Sequence, residues 1–477
     1  MEKEEKVKTY EMDMCTGVVW KKMLVFAFPL VCSNVLQLLF NAADIVVVGR
    51  FAGDNSLAAV GSNSSLIHLL TNLFVGLSVG ANVLAARSFG SHDDKTLSEI
   101  VHTAMLMSIV SGLFLALAGS LGARQVLMWM KTPDEVLGLA ALYLRIYFLG
   151  MPATMIYNFG SALLRAVGDT KRPLNYLTVA GVVNVVLNLF FVIVMHLDVA
   201  GVAIATVVSQ CISAFLVMRC LMRESGGIRL DLKLLHIYKN SFLQIIKIGL
   251  PAGFQGILFS ISNVVIQSSV NTFGEVVMAG NSAANNIENF VYFAMNAFYQ
   301  ASISFTGQNY GAGQYKRIYR ILLASQAFVV ILGVVFGNLV YLCGTPLLQI
   351  YSKSPAVIAA GLDRMKIIAR TYALGGMMDV MVGCLRGIGY SIMPMIVSLV
   401  GSCLLRLVWI STVFQIPQYH TIETVYISYP ITWIITLTAH ILCFLWAMHR
   451  LERRAAQPDE PDDPEPPEGP EVPAIDS

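Results

Sequence analysis

Residues 23–61 read MLVFAFPLVCSNVLQLLFNAADIVVVGRFAGDNSLAAVG, and the reading of the whole chain turns on them. The first part of this stretch is apolar enough to cross a bilayer, which takes about 20 residues of helix, yet it carries Asp44. A carboxylate at membrane depth is costly, so by default it marks a functional site. Asn34, Gln37, Asn41 and Asp44 fall three, four and three apart, which places them on one helix face. Pro29 precedes that stripe. It removes a backbone hydrogen bond and provides a hinge. A kinked helix with a single polar stripe ending in an acid has the form of a proton or metal-cation site inside a membrane. A stripe satisfied by neighbouring helices, with no chemistry, is the plainer alternative.

Working outward, composition points the same way. Of 477 residues, 56% are hydrophobic and 13% charged, where soluble domains carry roughly 25% charged residues. The formal net charge of +2 gives no signal for nucleic acid. The eight cysteines include no C-x-x-C pair and mostly sit in apolar runs, so they read as small buried hydrophobes. Residues 1–22 are charged and no A-x-A site follows an apolar core. The first helix is therefore expected to be retained as its own insertion signal. Runs long enough to span fall near 23–48, 57–84, 97–122, 136–160, 174–196, 200–221, 242–271, 276–306, 319–343, 356–384, 391–414 and 425–448. The expected fold is an all-α polytopic membrane protein with twelve transmembrane helices. One such run could be a buried soluble helix; twelve in series are not.

Lys and Arg set the expected orientation. They crowd the N-terminus and every second connection, including Lys171, Arg172, Arg229, Lys316, Arg317 and Arg386. The opposite connections hold only Arg50, Arg124, Lys131 and Lys353, although Arg364, Lys366 and Arg370 stand at the outer start of the tenth helix. Both termini are expected in the cytoplasm of a plasma (inner) membrane protein. The chain also repeats at an offset of about 221. Leu164-Arg165-Ala166-Val167-Gly168 returns as Leu385-Arg386-Gly387-Ile388-Gly389, Pro173 as Pro394, and Phe28-Pro29-Leu30 as Leu250-Pro251-Ala252. Six helices per repeat give two parallel six-helix lobes around a central cavity, an arrangement used by transporters. The expected divisions are a cytoplasmic N-terminus at 1–22, a first lobe at 23–221, a linker at 222–241 and a second lobe at 242–449. Residues 450–477 are acidic and Pro-rich, with too little apolar surface to fold, and are expected to be a disordered tail.

Asp44-x-x-x-x-Gly49-Arg50, Leu57-Ala58-Ala59-Val60-Gly61 and the repeated L-R-[AG]-x-G pair resemble the multidrug and toxic compound extrusion (MATE) family. So do Pro251-Ala252-Gly253-Phe254-Gln255-Gly256 and Gln308-Asn309-Tyr310-Gly311-Ala312-Gly313. The resemblance covers about residues 18–450. It implies a cofactor-free inner-membrane antiporter, not an enzyme, that exports cationic or polyaromatic compounds in exchange for H+ or Na+. It also implies lobes that rock to expose the cavity to each side in turn. Asp44 matches the family's first-helix acid, which binds the coupling cation. Asn184 and Asn188 match two further positions of that lobe, and some relatives have an acid in place of Asn188. Asn158 and Thr206 resemble polar members of the same network. Gln255 matches a seventh-helix position that is acidic in relatives proposed to bind Na+.

Asp44 as a proton carrier, or as a Na+ ligand together with the oxygens of Asn184, Asn188 and Thr206, both fit the residues. At an offset of 222, Asn41 maps to Asn263 but Asp44 maps to Ile266, so coupling is expected mainly in the first lobe. The eighth helix carries Asn281, Asn285, Glu288, Tyr292, Met295 and Tyr299 at steps of four and three. An acid among aromatics and Met suits a hydrophobic organic cation through charge pairing and cation–π contact. With Asn34, Gln37, Gln255 and Asp379 these residues form the expected substrate cavity, and Pro29 and Pro251 are the expected hinges. Asp379 serves the second lobe or pairs with a basic neighbour. His68 and Arg406 are expected to be structural. The chain is expected to act as a monomer in the lipid bilayer, on small organic cations and without nucleic acid. A lipid-linked sugar flippase of the same superfamily would want a basic cavity, and the deep acids speak against it. A channel or an intramembrane enzyme finds no matching motif.

Overall fold

In a hydrocarbon environment each segment must satisfy its own backbone N–H and C=O groups, and a continuous helix does so. The computed structural model describes residues 10–456, except for the side chains at 54, 62, 64, 65, 68, 69 and 456. In chain order the helices are α1 Val19–Phe51, α2 Asp54–Gly90, α3 Asp94–Trp129, α4 Asp134–Leu149, α5 Met151–Ala166, α6 Lys171–Leu189 and α7 Asp198–Arg223. The second half follows with α8 Lys239–Asn271, α9 Glu275–Gly311, α10 Tyr315–Leu342, α11 Gly344–Gln349, α12 Pro355–Gly387, α13 Ile392–Ser398, α14 Leu405–Ser411 and α15 Ile422–Ala456. π-helical turns continue α6 through Phe190–Val194 and join α13 to α14 through Leu399–Leu404. With α4–α5 and α13–α14 each taken as one span and the short α11 left aside, twelve spans result.

The repeat is exact in places. Adding 221 to the ends of α2 gives the ends of α9, and adding it to α4–α5 gives the ends of α12. Gly53 and Gly274 open α2 and α9 at φ +86° and +91°, and Gly168 and Gly389 turn the chain at φ +94° and +95°. Such angles suit glycine alone. The copies differ at one break. The fourth span, expected as one helix over 136–160, bends by 47° between α4 and α5. Pro152 lacks the N–H that would continue the helix, and its counterpart in unbroken α12 is Ala373. Ten helices, or eleven with the bent pair, are apolar enough to span by composition. The remaining long helix, α9, carries Asn281, Asn285, Glu288, Asn289 and Asn296, and its four asparagines line the interior cavity described below.

Helices α1 and α8 are shared between the lobes. The first turns of α1, with Met23, Phe26 and Leu30, pack in the core of the second lobe against Phe298, Phe305 and Leu385. Its last turns, with Val47 and Val48, pack in the first lobe against Leu137 and Val199. Pro29 stands where α1 leaves one core for the other, inside a single continuous helix. In the mirrored arrangement, Ile245 and Ile248 of α8 enter the first-lobe core. Here α8 lies against α2 through two GxxxG pairs, Gly76/Gly80 and Gly249/Gly253. A Cβ on Gly76 would stand 2.3 Å from Gly253 N, and one on Gly249 2.6 Å from Leu77 Cα. Small residues at this spacing let two helix backbones touch.

The end of the molecule at which the described residues begin and end is latched. Arg87 at the end of α2 donates to Gly387 O of the other lobe at 3.2 Å from both Nε and Nη2. Gln308, its counterpart at +221, donates to Ala166 O at 2.7 Å. Ser304 donates to Asn82 at 3.1 Å between the same two helices. The segment before α1 threads this seam: Met12 N donates to Val167 O and Met14 N to Gln308 Oε1, both at 2.9 Å. α1 starts at Val19, inside the expected N-terminal segment, and α15 runs to Ala456. Residues 450–456 therefore extend the last helix, and the rest of the expected tail, 457–477, lies outside the described residues, as does the side chain of His68.

Candidate functional site

Two polar sites lie within the spans. The first centres on Asp44, in the last third of α1. Asn188 of α6 donates its side-chain amide to Asp44 Oδ1. The same nitrogen lies 3.2 Å from Asn184 Oδ1, and Asn184 Nδ2 donates to the Thr206 hydroxyl at 3.4 Å. Thr206 of α7 also stands beside the carboxylate. Asn188 and Asn184 reach the same neighbour because four residues make about one turn. Asn188 is fully buried, and its Oδ1 has no partner. An orphaned amide oxygen beside a carboxylate is a ready ligand for a small hard cation. Tyr143 and Tyr147 of α4 lie close enough to feel the charge of Asp44. The sequence did not single them out, since nothing local ties α4 to α1.

Asn41 and Asn158 of the expected coupling site stand apart from this group, and Asn34 and Gln37, expected in the substrate cavity, are not among the residues that line the cavity described next. Asn158 donates to Thr154 O within its own helix at 2.9 Å. Gln37 and Asn41 are exposed, and Asn34 donates to Phe293 O of α9 at 2.9 Å, a link between the lobes.

The second site is a cavity of about 650 Å³ in the second lobe, closed on one side by Asn72 and Val79 of α2. It reaches from Asn281 and Tyr426, near the helix ends remote from the termini, to Arg386 near the latched end. Gln255, Asn281, Asn285, Tyr292, Met295 and Asp379 line it, as do Asn263 and Ile266, the repeat counterparts of Asn41 and Asp44. The second lobe thus places its cavity where the first places its acid. Tyr372, Tyr429 and Trp433 form an aromatic wall, with Tyr372 and Tyr429 each 5.7 Å from Trp433 between ring centroids.

Glu288 requires a correction. As an acid facing a cavity it would draw an organic cation, but Arg364 neutralises it, with Nη2 2.9 Å and Nε 3.1 Å from Glu288 Oε2. Arg364 also donates to Asn281 at 2.7 Å and to Asn285 at 3.1 Å. The partner sits 76 residues away, and no periodicity within α9 reveals it. Arg386, grouped by sequence with a cytoplasmic connection, is only 4% exposed and lines the cavity. It donates to Gln255 Oε1 at 2.8 Å and to the Tyr299 hydroxyl. A signal was available: Tyr372, Asp379 and Arg386 recur every seven residues, one face of a helix. Arg406 lines the cavity too, and donates to Thr432 at 3.0 Å.

Twelve spans in two repeated lobes, latched at one end and holding membrane-embedded polar sites, define a membrane transporter. The MatE family model matches residues 29–190 and again 251–410, so the chain belongs to the MatE family. The probable multidrug resistance protein YoeA of Bacillus subtilis is 26% identical over 88% of this chain and 92% of its own. An outward-facing multidrug resistance MATE transporter of the MOP superfamily superposes with a TM-score of 0.85, at 20% identity over 93% of this chain and 98% of that one. A MOP superfamily transporter from Pyrococcus furiosus Vc1, described by the reverse polarity of its binding pocket, superposes with a TM-score of 0.84 at 21% identity, over 92% of this chain and 97% of that one.

Proposed function

We propose that the chain is a secondary active antiporter that exports aromatic drugs and toxic compounds in exchange for H+ or Na+ by alternating access. The observation that carries this reading is the separation of two embedded sites: a lone carboxylate among amides and a hydroxyl in one lobe, and a larger aromatic cavity in the other. Loading Asp44 with H+ or Na+ removes a charge from a half-buried position. Coupling follows if the loaded form favours one lobe arrangement over the other. Asn188 now offers Asp44 its N–H; Na+ would need the amide turned so that its oxygen faces the ion. With the positive-inside orientation, the latched end is cytoplasmic and the present arrangement opens outward from the inner membrane. The multidrug resistance name of the Bacillus relative supports the substrate class. The sequence pointed to cationic cargo through Glu288; with that acid matched by Arg364, aromatic character is what the cavity supports.

The test is transport in liposomes. Asp44→Asn protein is expected to bind an aromatic substrate and to lose gradient-driven efflux; efflux at the unsubstituted rate would rule Asp44 out. Independent variation of pH and Na+ identifies the ion. A flippase for a lipid-linked sugar is the second reading, favoured by the arginines in the cavity wall and by the reversed pocket polarity of the Pyrococcus relative. Transbilayer movement of a labelled anionic lipid, with no efflux of soluble dyes, would select it.

A further inference from the structure

Four charged residues among those described line the second-lobe cavity: Arg364, Asp379, Arg386 and Arg406. Arg364 is matched by Glu288. Arg386 and Arg406 form no ion pair with any described residue. Their hydrogen-bond acceptors, Gln255, Tyr299 and Thr432, are all neutral. Both are almost fully buried, at 4% and 3% exposure, and the Nε–H of each has no acceptor. The Arg406 guanidinium lies 3.9 Å from the centre of the Tyr429 ring. Asp379, the lone lining carboxylate, is seven residues before Arg386 and lies near enough to feel its charge, but the two make no contact ion pair. The wall therefore presents two unmatched guanidiniums against one carboxylate. A buried cation without a counter-charge is costly, and so is a buried donor without an acceptor. An oxyanion answers both, and the guanidinium fork suits it geometrically.

We propose that this cavity binds an organic anion: an aromatic ring system bearing a carboxylate, sulfonate or phosphate, whose oxygens accept from Arg386 and Arg406 and whose rings lie against Tyr372 and Trp433. The proposal rests on the reading of the chain as a transporter whose cargo enters here. The cavity volume, about 650 Å³, is in the range that holds a drug-sized molecule, roughly 300–1,000 Å³. The repeat makes the site specific to one lobe. Arg406 maps to Val185, and the acid at Asp44 is replaced by Ile266. The second lobe thus gains Arg406 and lacks the acid of Asp44, while Asp379, at the position of Asn158, supplies one carboxylate of its own. Asp379 opposes the bound anion, and its removal strengthens binding.

Fluorescein and rhodamine 123 share a ring skeleton and differ in charge, so they isolate this property. Fluorescence anisotropy is measured on the full chain in phosphatidylcholine nanodiscs. Fluorescein is expected to bind saturably and at least about tenfold more tightly than rhodamine 123. Arg386→Gln and Arg406→Gln each weaken it by about tenfold or more, the corresponding Lys variants, which keep the charge but lose the fork, weaken it less than Gln, and Asp379→Asn tightens it. Preference for rhodamine 123 that Asp379→Asn abolishes would overturn the proposal. So would fluorescein binding that both Gln variants leave unchanged, or no saturable fluorescein binding at all. The Asp379→Asn arm keeps the test decisive if an arginine variant fails to fold. Liposome flux separates the two readings. The expected charge preference with flux indifferent to Asp44 removes the coupling site and leaves the anion site standing; Asp44-dependent flux without that preference does the reverse.

Discussion

Glu288 and Arg364 show how a single side chain changes meaning with its partner. Glu288 is 1% exposed, and Arg364 holds it while also tying Asn281 and Asn285. Removing one member of such a pair strands a buried charge and costs about 3–5 kcal/mol, whereas replacing both with apolar groups is often neutral. Glu288→Leu is accordingly expected to lower the thermal unfolding temperature in detergent, and Glu288→Leu with Arg364→Met to recover most of the loss. Equal destabilisation by the single and double variants would show that the pair does not act as a unit. Asp44 was legible from sequence alone, because a carboxylate in an apolar run is conspicuous whatever surrounds it. The neutralisation of Glu288 was not, because its partner comes from a different helix.

At the level of elements, the contact between α2 and α8 is set by backbone proximity. Gly76, Gly80, Gly249 and Gly253 leave no room for a side chain, and Pro251 stands between the two glycines of α8. A leucine at Gly76 or Gly249 must push the helices apart. Either variant is expected to reduce efflux by tenfold or more, in line with the cost of overpacking a close contact, about 1–3 kcal/mol. A cysteine at Ser304, now fully buried against Asn82, should then become reactive to a thiol reagent. Unaltered efflux and an unreactive Ser304→Cys would mean that the close approach is dispensable. Both GxxxG spacings are present in the sequence, but spacing alone does not say which helix faces which.

For the whole molecule, the pseudo-symmetric latch is the feature that the proposed alternating access has to break. Arg87 reaches Gly387, and Gln308 reaches Ala166, each holding the last carbonyl of the other lobe's fourth span. The repeated L-R-[AG]-x-G motif thereby acquires a physical role. Its final glycine, at φ +94° in Gly168 and +95° in Gly389, turns the chain sharply enough to leave that carbonyl open to the opposite lobe. A short cross-link between cysteines placed at Asn82 and Ser304 is expected to hold the lobes latched. Efflux from liposomes should fall to background and return when the link is cleaved. Efflux that continues through the intact link would refute opening at this end.

The sequence by itself determined the helical class, the twelve spans and the duplication, because hydrophobic runs and a fixed offset are properties of the chain read in one dimension. It also located Asp44 and the polar face of α9. Only the tertiary structure decided that α1 and α8 cross between lobes, and which charges in the second-lobe cavity are matched. The reason is physical. The free energy of a buried charge depends on groups that folding brings within a few ångströms, from positions tens of residues away. The acid opening the sequence argument kept its amide neighbours, while the acid in α9 met a guanidinium and left two others in the cavity wall outside any ion pair among the described residues.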